Sequence, residues 1–450
     1  MGFVVPVLEH DKQLVEGKGA GGSRLVTAVM AVGLALMGNR VNSRFLLPKA
    51  MKFYSRALKE INDALAVEDQ AVEDDTLAAV IVLGLFEILT GTSGQPSGWI
   101  SHANGAAILV KMRDQRNTQL TDLGRILHVM ARSQLVVNCL VSCSPPILGV
   151  DWWMRFGTKD NLPATPPKLN LEVAALHAKI NSTLTSANKS LSTDIESVLD
   201  VLKLAKALES QYKEWEERLP KAWKYSIVAW NEDVDDEELY HVKQFPGRRD
   251  EYADISIGTA SNMMRAARIM LCGDIVRASA WLCSPYQDYR TTPEFGAAVR
   301  VSKNLVEDII ASVPFFLGDD RTSDINGWER PQNGRMSLVG TSALGLFLTW
   351  PLMVCKMSDY STERQRKWAA GRLRGIAEEM GIGQALLFSQ INVRLPSMFI
   401  VRDEFTQVDG MEVAKKKAIE LAMSSSEFTE SDEMLHLMSG LLGCNPIKKL

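Results

Sequence analysis

Apolar residues recur at steps of three and four along almost the whole chain, while period-two runs of β-branched residues are scarce. This pattern predicts an all-α protein. A first amphipathic stretch spans Arg24–Gly38 behind Ser23, and Pro48 opens a second over 49–65. Asp74 or Asp75 is placed to cap a third over 76–89, and after a turn at 91–98 two more follow at 99–112 and 120–140. In the third, Leu77, Val80, Ile81, Leu83, Leu85, Phe86 and Leu89 leave almost no polar face, so it belongs at the centre of the packing.

Beyond residue 143 the pattern breaks. Prolines at 145, 146, 163, 166 and 167 forbid a continuous helix, and 144–169 reads as an extended connector packed by Trp152 and Trp153. Residues 170–217 form one or two helices with a polar break at 182–193. The acidic run from Glu232 to Glu238 and the Pro246-Gly247-Arg248-Arg249 turn make 231–249 an exposed loop. Helices are expected near 251–282, 294–312, 336–357, 362–380 and 383–392, with a polar insertion at 318–334. The organisation is a flexible segment over 1–22, a helical body over 23–400 and a charged, amphipathic tail over 401–450. No repeat of fixed period occurs, so the body is an irregular compact helical array.

Composition narrows the function classes. With 450 residues, 46% apolar and 23% charged, the chain matches the globular average and needs no staples to build a core. Fifty Lys and Arg against 54 Asp and Glu give a net charge of −4, which creates no positive field to gather nucleic acid or anionic lipid. The six cysteines, at 139, 143, 272, 283, 355 and 444, sit mostly in apolar surroundings, as reduced thiols of an intracellular protein do. The opening residues carry no signal peptide or myristoylation pattern. The uncharged run 336–355 just reaches spanning length, but its Ser, Thr, Gly and Pro351 read as a buried core helix, and no membrane is expected.

Candidate chemistry is sparse. Gly17-Lys18-Gly19-Ala20-Gly21-Gly22 satisfies G-x-G-x-x-G, but no acid lies between Arg24 and Lys59 and the upstream strand is poor, so the glycines read as a joint. Glu73-Asp74-Asp75 reads as a helix cap, and Asp319, Asp320 and Asp324 as a solvated loop, because the other half of a magnesium–diphosphate site is not present at usable spacing. Cys139 and Cys143 share a helix face without a second cysteine pair and read as buried thiols; His102 and His128 read as packed, hydrogen-bonded histidines. No H-E-x-x-H or G-x-S-x-G occurs, so no catalytic, cofactor-binding or metal residues are assigned and no cofactor is expected. Residues 424–442 mix acids with large apolar side chains, as in a docked amphipathic helix or a segment that folds on a coactivator.

One resemblance joins these features. Tyr54 and the helix after it, then Asp74-Asp75-Thr76-Leu77 through Leu85-Phe86-Glu87, Trp99, His102 and Gly105-Ala106 come first. Leu348-Thr349-Trp350-Pro351-Leu352, Arg364, Trp368 and Gly381-Ile382-Gly383-Gln384-Ala385 follow in order. Together they resemble the regulatory middle and C-terminal domain of fungal zinc-binuclear-cluster transcription factors. The resemblance implies an all-helical fold, a fungal source, and DNA contact through an N-terminal six-cysteine module that chelates two zinc ions. No cysteine precedes Cys139, so that module is expected to be missing and none of its zinc- or DNA-contacting residues is assigned here.

The expected function is therefore a transcription regulator without its own DNA-binding module, in the nucleus or cytoplasm. It would act through its helical domain by binding a small-molecule effector or a protein partner, either a zinc-cluster factor or a coactivator, in control of a metabolic gene cluster. Trp99, His102, Trp350 and Trp368 are the candidate ligand-cavity lining. The alternatives are a helical enzyme or ligand-binding protein recruited to a biosynthetic pathway, or an incomplete gene model of a full zinc-cluster factor.

Overall fold

A computed structural model of the chain describes residues 24–40, 43–91, 97–116, 121–155, 165–186, 191–284, 286–317 and 338–400. The expected segments 1–22, 318–334 and 401–450, with the glycine motif, Asp319, Asp320, Asp324 and Cys444, lie outside the described residues. The chain divides into two compact units. One comprises residues 1–138, 334–346 and 374–387; the other comprises 139–333, 347–373 and 388–450. The described residues are overwhelmingly helical, with one small two-stranded sheet.

In the first unit, α1 (Arg24–Gly38), α2 (Leu47–Leu65), α3 (Glu68–Ala71), α4 (Asp74–Thr90) and α5 (Ser97–Gln115) are followed by the start of α6 (Asp122–Ser142). Every residue of α4 from Thr76 to Phe86 is buried, and α1, α2 and α5 pack on it, as its all-round apolar pattern demands. Each fully buried Leu, Ile, Val or Phe contributes roughly 1.5–3 kcal/mol of transfer free energy, which makes this helix the main apolar anchor of the unit.

The structure corrects the capping expectation. The residue before α4 is Glu73, which makes no side-chain cap, and Asp74 and Asp75 lie inside the first turn. There Asp74 accepts from Arg113 and from Thr121 Oγ1, and Asp75 accepts from Arg24 Nε at 2.9 Å. The two carboxylates complement the positive end of α4 while neutralising arginines from α5 and α1. Capping gives way because buried Arg113 needs a counter-charge.

The second unit contains α7 (Val150–Met154), α8 (Thr165–Ser186), α9 (Leu191–Glu217), α10 (Ile255–Cys283) and α11 (Pro293–Leu317). The chain continues through α12 (Leu338–Met357), α13 (Glu363–Met380) and α14 (Gly383–Gln390). The 144–169 connector is more helical than expected. Val150–Met154 forms a turn that buries Trp153, whose Nε1 donates to Ile147 O at 2.8 Å, and α8 begins at Thr165 with Pro166 and Pro167 in its first turn. Proline is tolerated there because first-turn N–H groups have no intrahelical acceptor to lose.

The 231–249 loop is also revised. Its ends belong to an antiparallel pair, β1 (Ser226–Asn231) and β2 (Gly247–Glu251), with Ile227 opposite Asp250, Trp230 opposite Arg248 and a bulge between Ile227 and Ala229. The acidic stretch between them is tethered rather than free. Arg364 of α13 bonds Asp233 at 2.6 Å and Asp236 at 2.9 Å, and Lys367 donates to the Asp236 carbonyl.

Among the described residues no helix is long and apolar enough to cross a membrane. The 336–355 stretch falls largely in α12, where Leu344, Leu348, Leu352 and Met353 are buried.

Candidate functional site

A cavity of about 380 Å³ lies in the second unit. Its first wall is the end of α9. Val198, Val201, Ala205, Leu208 and Tyr212 form a buried stripe at helical spacing, and Trp215 continues that stripe into the cavity before Pro220 ends the helix. Trp223, Lys224 and Tyr225, just past the proline, supply the second wall on the way into β1. The third is α10, started by Asp254, whose side chain accepts from Ser256 N at 2.6 Å. From there Ser261, Met264, Arg265 and Arg268 line up on one face. Tyr252 and Leu305 of α11 close the space.

The two arginines are buried and fully engaged. Arg268 grips Glu209 in a fork, Nη2 to Oε1 at 2.7 Å and Nε to Oε2 at 2.9 Å and Oε1 at 3.1 Å, and reaches Glu216 with Nη1 at 2.9 Å. Arg265 donates to Tyr252 Oη at 2.5 Å and to Asn262 Oδ1 at 3.0 Å, and pairs with Asp308 at 3.5 Å. The guanidinium of Arg248 lies 4.8 Å above the Tyr225 ring and that of Arg265 lies 5.8 Å from the same centroid. Burial pushes the Tyr225 and Tyr252 hydroxyls up, and burial lifts the Asp250 carboxyl to about 6 against the pull of Arg248. These walls are aromatic, and both arginines have counter-charges. They are suited to holding a molecule rather than to moving protons.

A second polar cluster in the same unit joins α8, α10 and the turn after α6. His177 Nδ1 lies 2.7 Å from Asp274 Oδ2 and its Nε2 lies 3.2 Å from Cys143 Sγ, while Arg277 bonds Asn181 at 2.6 Å and Asp274 at 3.3 Å. The order Cys, His, Asp is that of an activated nucleophile. Burial pulls the His177 imidazole down, but Asp274 and then Cys143 outweigh it and raise it to about 10, so the ring is a cation held against Asp274 at neutral pH. His177 and Asp274 are an ion-pair clamp. They face a narrow cavity of about 50 Å³ with Arg277, Trp350, Met353 and Phe399.

The sequence-derived lining residues fall two in each unit. In the first unit, Trp99 is buried on α5. One turn on, His102 Nε2 lies 3.2 Å from the Tyr54 hydroxyl, which donates to Glu87. Burial lowers the His102 pKa despite Glu87, so the ring is a neutral, packed histidine. In the second unit, Trp350 lines the narrow cavity, whereas Trp368 has no exposed surface and packs edge-on against Phe245 at 5.6 Å.

Sequence reasoning missed the larger cavity. Its signal was the density of aromatics from Tyr212 to Tyr225 and two arginines on one face of α10. It also missed His177 and Asp274, each an ionisable side chain midway along a helix rich in apolar residues.

A family model for the fungal-specific transcription factor domain matches residues 1–275, well over half of the chain. The chain belongs to this family. Its matched region includes nearly all of the larger cavity's wall and, of the His177 cluster, Cys143, His177, Asn181 and Asp274. By this membership the protein is a transcription regulator, and its family is one of transcription factors rather than enzymes. Among curated proteins, Transcription factor dbaG of Emericella nidulans is 24% identical over 368 residues, covering 82% of this chain and 82% of that protein. The uncharacterized protein AN5342 of the same organism is 30% identical over 179 residues, covering 39% of this chain and 34% of that protein. No solved structure gives a significant match.

Proposed function

We propose that this transcription regulator works in the nucleus as an effector-responsive helical body that controls transcription through a protein partner. The observation that carries the proposal is the preformed 380 Å³ cavity, whose walls come from α9, the approach to β1, α10 and α11. A molecule seated there touches elements far apart in sequence, so its binding energy can favour one packing of those helices over another. The net charge of −4 gives the chain no electrostatic grip on a duplex, so DNA contact falls to the partner, a zinc-cluster factor.

The test is a reporter assay in the native host background with Ser261→Trp, a substitution that fills the cavity from α10. The variant is expected to reach wild-type abundance and still coprecipitate the partner while the reporter becomes indifferent to inducing conditions. Unaltered induction by the filled variant would overturn the proposal.

A further inference from the structure

We propose that the larger cavity selects a planar aromatic carboxylate; this rests on reading the cavity as an effector site. The shape argument comes from the walls. Trp215, Trp223, Tyr225 and Tyr252 present ring surfaces that favour a flat, unsaturated guest.

The charge argument comes from what those walls leave unused. Arg268 is spent on Glu209 and Glu216, and Arg265 on Asp308, Tyr252 and Asn262. Two lining donors have no acceptor among the described residues. Trp215 Nε1 is buried without a hydrogen-bond partner, and Lys224, exposed at the rim, makes no ion pair. They stand nine positions apart on either side of Pro220 and both line the cavity. An indole N–H and an ammonium group ask for the same thing, an oxygen carrying negative charge. A cationic guest would meet Lys224, Arg265 and Arg268 and find one lining acid, Glu216, already held by Arg268.

The experiment is calorimetric titration of the full chain with 2-naphthoate, the neutral 2-naphthamide and the cationic 2-naphthylmethylammonium. Wild type is expected to bind naphthoate best. Lys224→Gln, a change at an exposed site that leaves folding intact, should weaken naphthoate about tenfold and leave naphthamide unaltered. Trp215→Phe, which keeps a ring but removes the donor, should weaken both. Naphthamide or the cation binding as tightly as naphthoate, with every affinity lost in Ser261→Trp, would overturn the carboxylate preference and leave the effector-site reading standing. Absence of binding by all three probes, or binding that ignores Ser261→Trp, would overturn both.

Discussion

His177 and Asp274 meet at 2.7 Å with almost no solvent at either side chain. A buried pair of this kind adds little over an apolar substitute, yet it is costly to break, because the surviving charge has no water to turn to. Asp274→Asn is therefore expected to lower unfolding stability by about 3–5 kcal/mol in urea titrations at pH 6.

The same pair sets a pH dependence. The His177 imidazole moves from its ordinary 6.5 to about 10 on folding, so its contribution is complete below about pH 6.5 and drains away as pH climbs to about 10. Lys356 works in the opposite direction. Burial lowers its ammonium to about 8, so its cost is felt in full below pH 8 and fades toward 10.5. Stability of wild type minus His177→Gln should shrink steadily from pH 6 to 10, and wild type minus Lys356→Met should become more favourable from pH 8 upward. Curves of the reverse slope would refute these assignments.

Glycines in the first unit offer a contrast. Gly383 lets its backbone press against α4, and a Cβ there would sit 2.6 Å from the carbonyl oxygens of Leu89 and Thr90. At Gly33, inside α1, a Cβ would meet nothing within 4 Å. Gly383→Ala should destabilise by about 1–3 kcal/mol, as overpacking does. Gly33→Ala should stabilise by up to about 1 kcal/mol through helix propensity. Thermal melts of the two variants separate the effects.

Arg268 anchors the cavity wall. Arg268→Met removes the guanidinium's bonds to Glu209 and Glu216, leaving Glu209 partly buried without its counter-charge. A loss of about 3 kcal/mol is expected in denaturant titrations, accompanied by a change in Trp215 fluorescence. Retained stability would show that the carboxylates find another partner.

Arg364 provides a surface counterpart. It is about one-third exposed and its partners Asp233 and Asp236 more so, so Arg364→Ala should cost no more than about 1 kcal/mol. Its main effect is predicted on the acidic loop, which should become an early cleavage site in limited proteolysis.

Local pattern carried much of the architecture. Arg24–Gly38 is the helix its apolar spacing predicts, and Leu65 ends α2 as expected. The all-round apolar character of residues 77–89 placed α4 in the core. The strand pair escaped because Ile227 and Trp230 are 52% and 72% exposed, so β1 has no buried face to write an alternating pattern. Asp74 and Asp75 looked like caps because their arginine partners come from 39 and 51 residues away. The cavity and the His177 clamp depend on side chains brought together from tens of positions apart, 97 in the case of His177 and Asp274. No short-range pattern encodes such meetings. Trp368 was grouped with cavity residues on its aromatic character, whereas its burial against Phe245 follows from a tertiary neighbour 123 positions earlier.

The side chain of Asn39 donates to the carbonyls of Leu89 and Gly381, the second of these 342 positions downstream. The first unit is thus assembled from both early and late parts of the polypeptide, and its opening helices emerge from the ribosome long before the piece that finishes them. At roughly 5–20 residues per second, that delay is about 20–70 s, during which the apolar flanks of α1 and α4 need a chaperone's shelter.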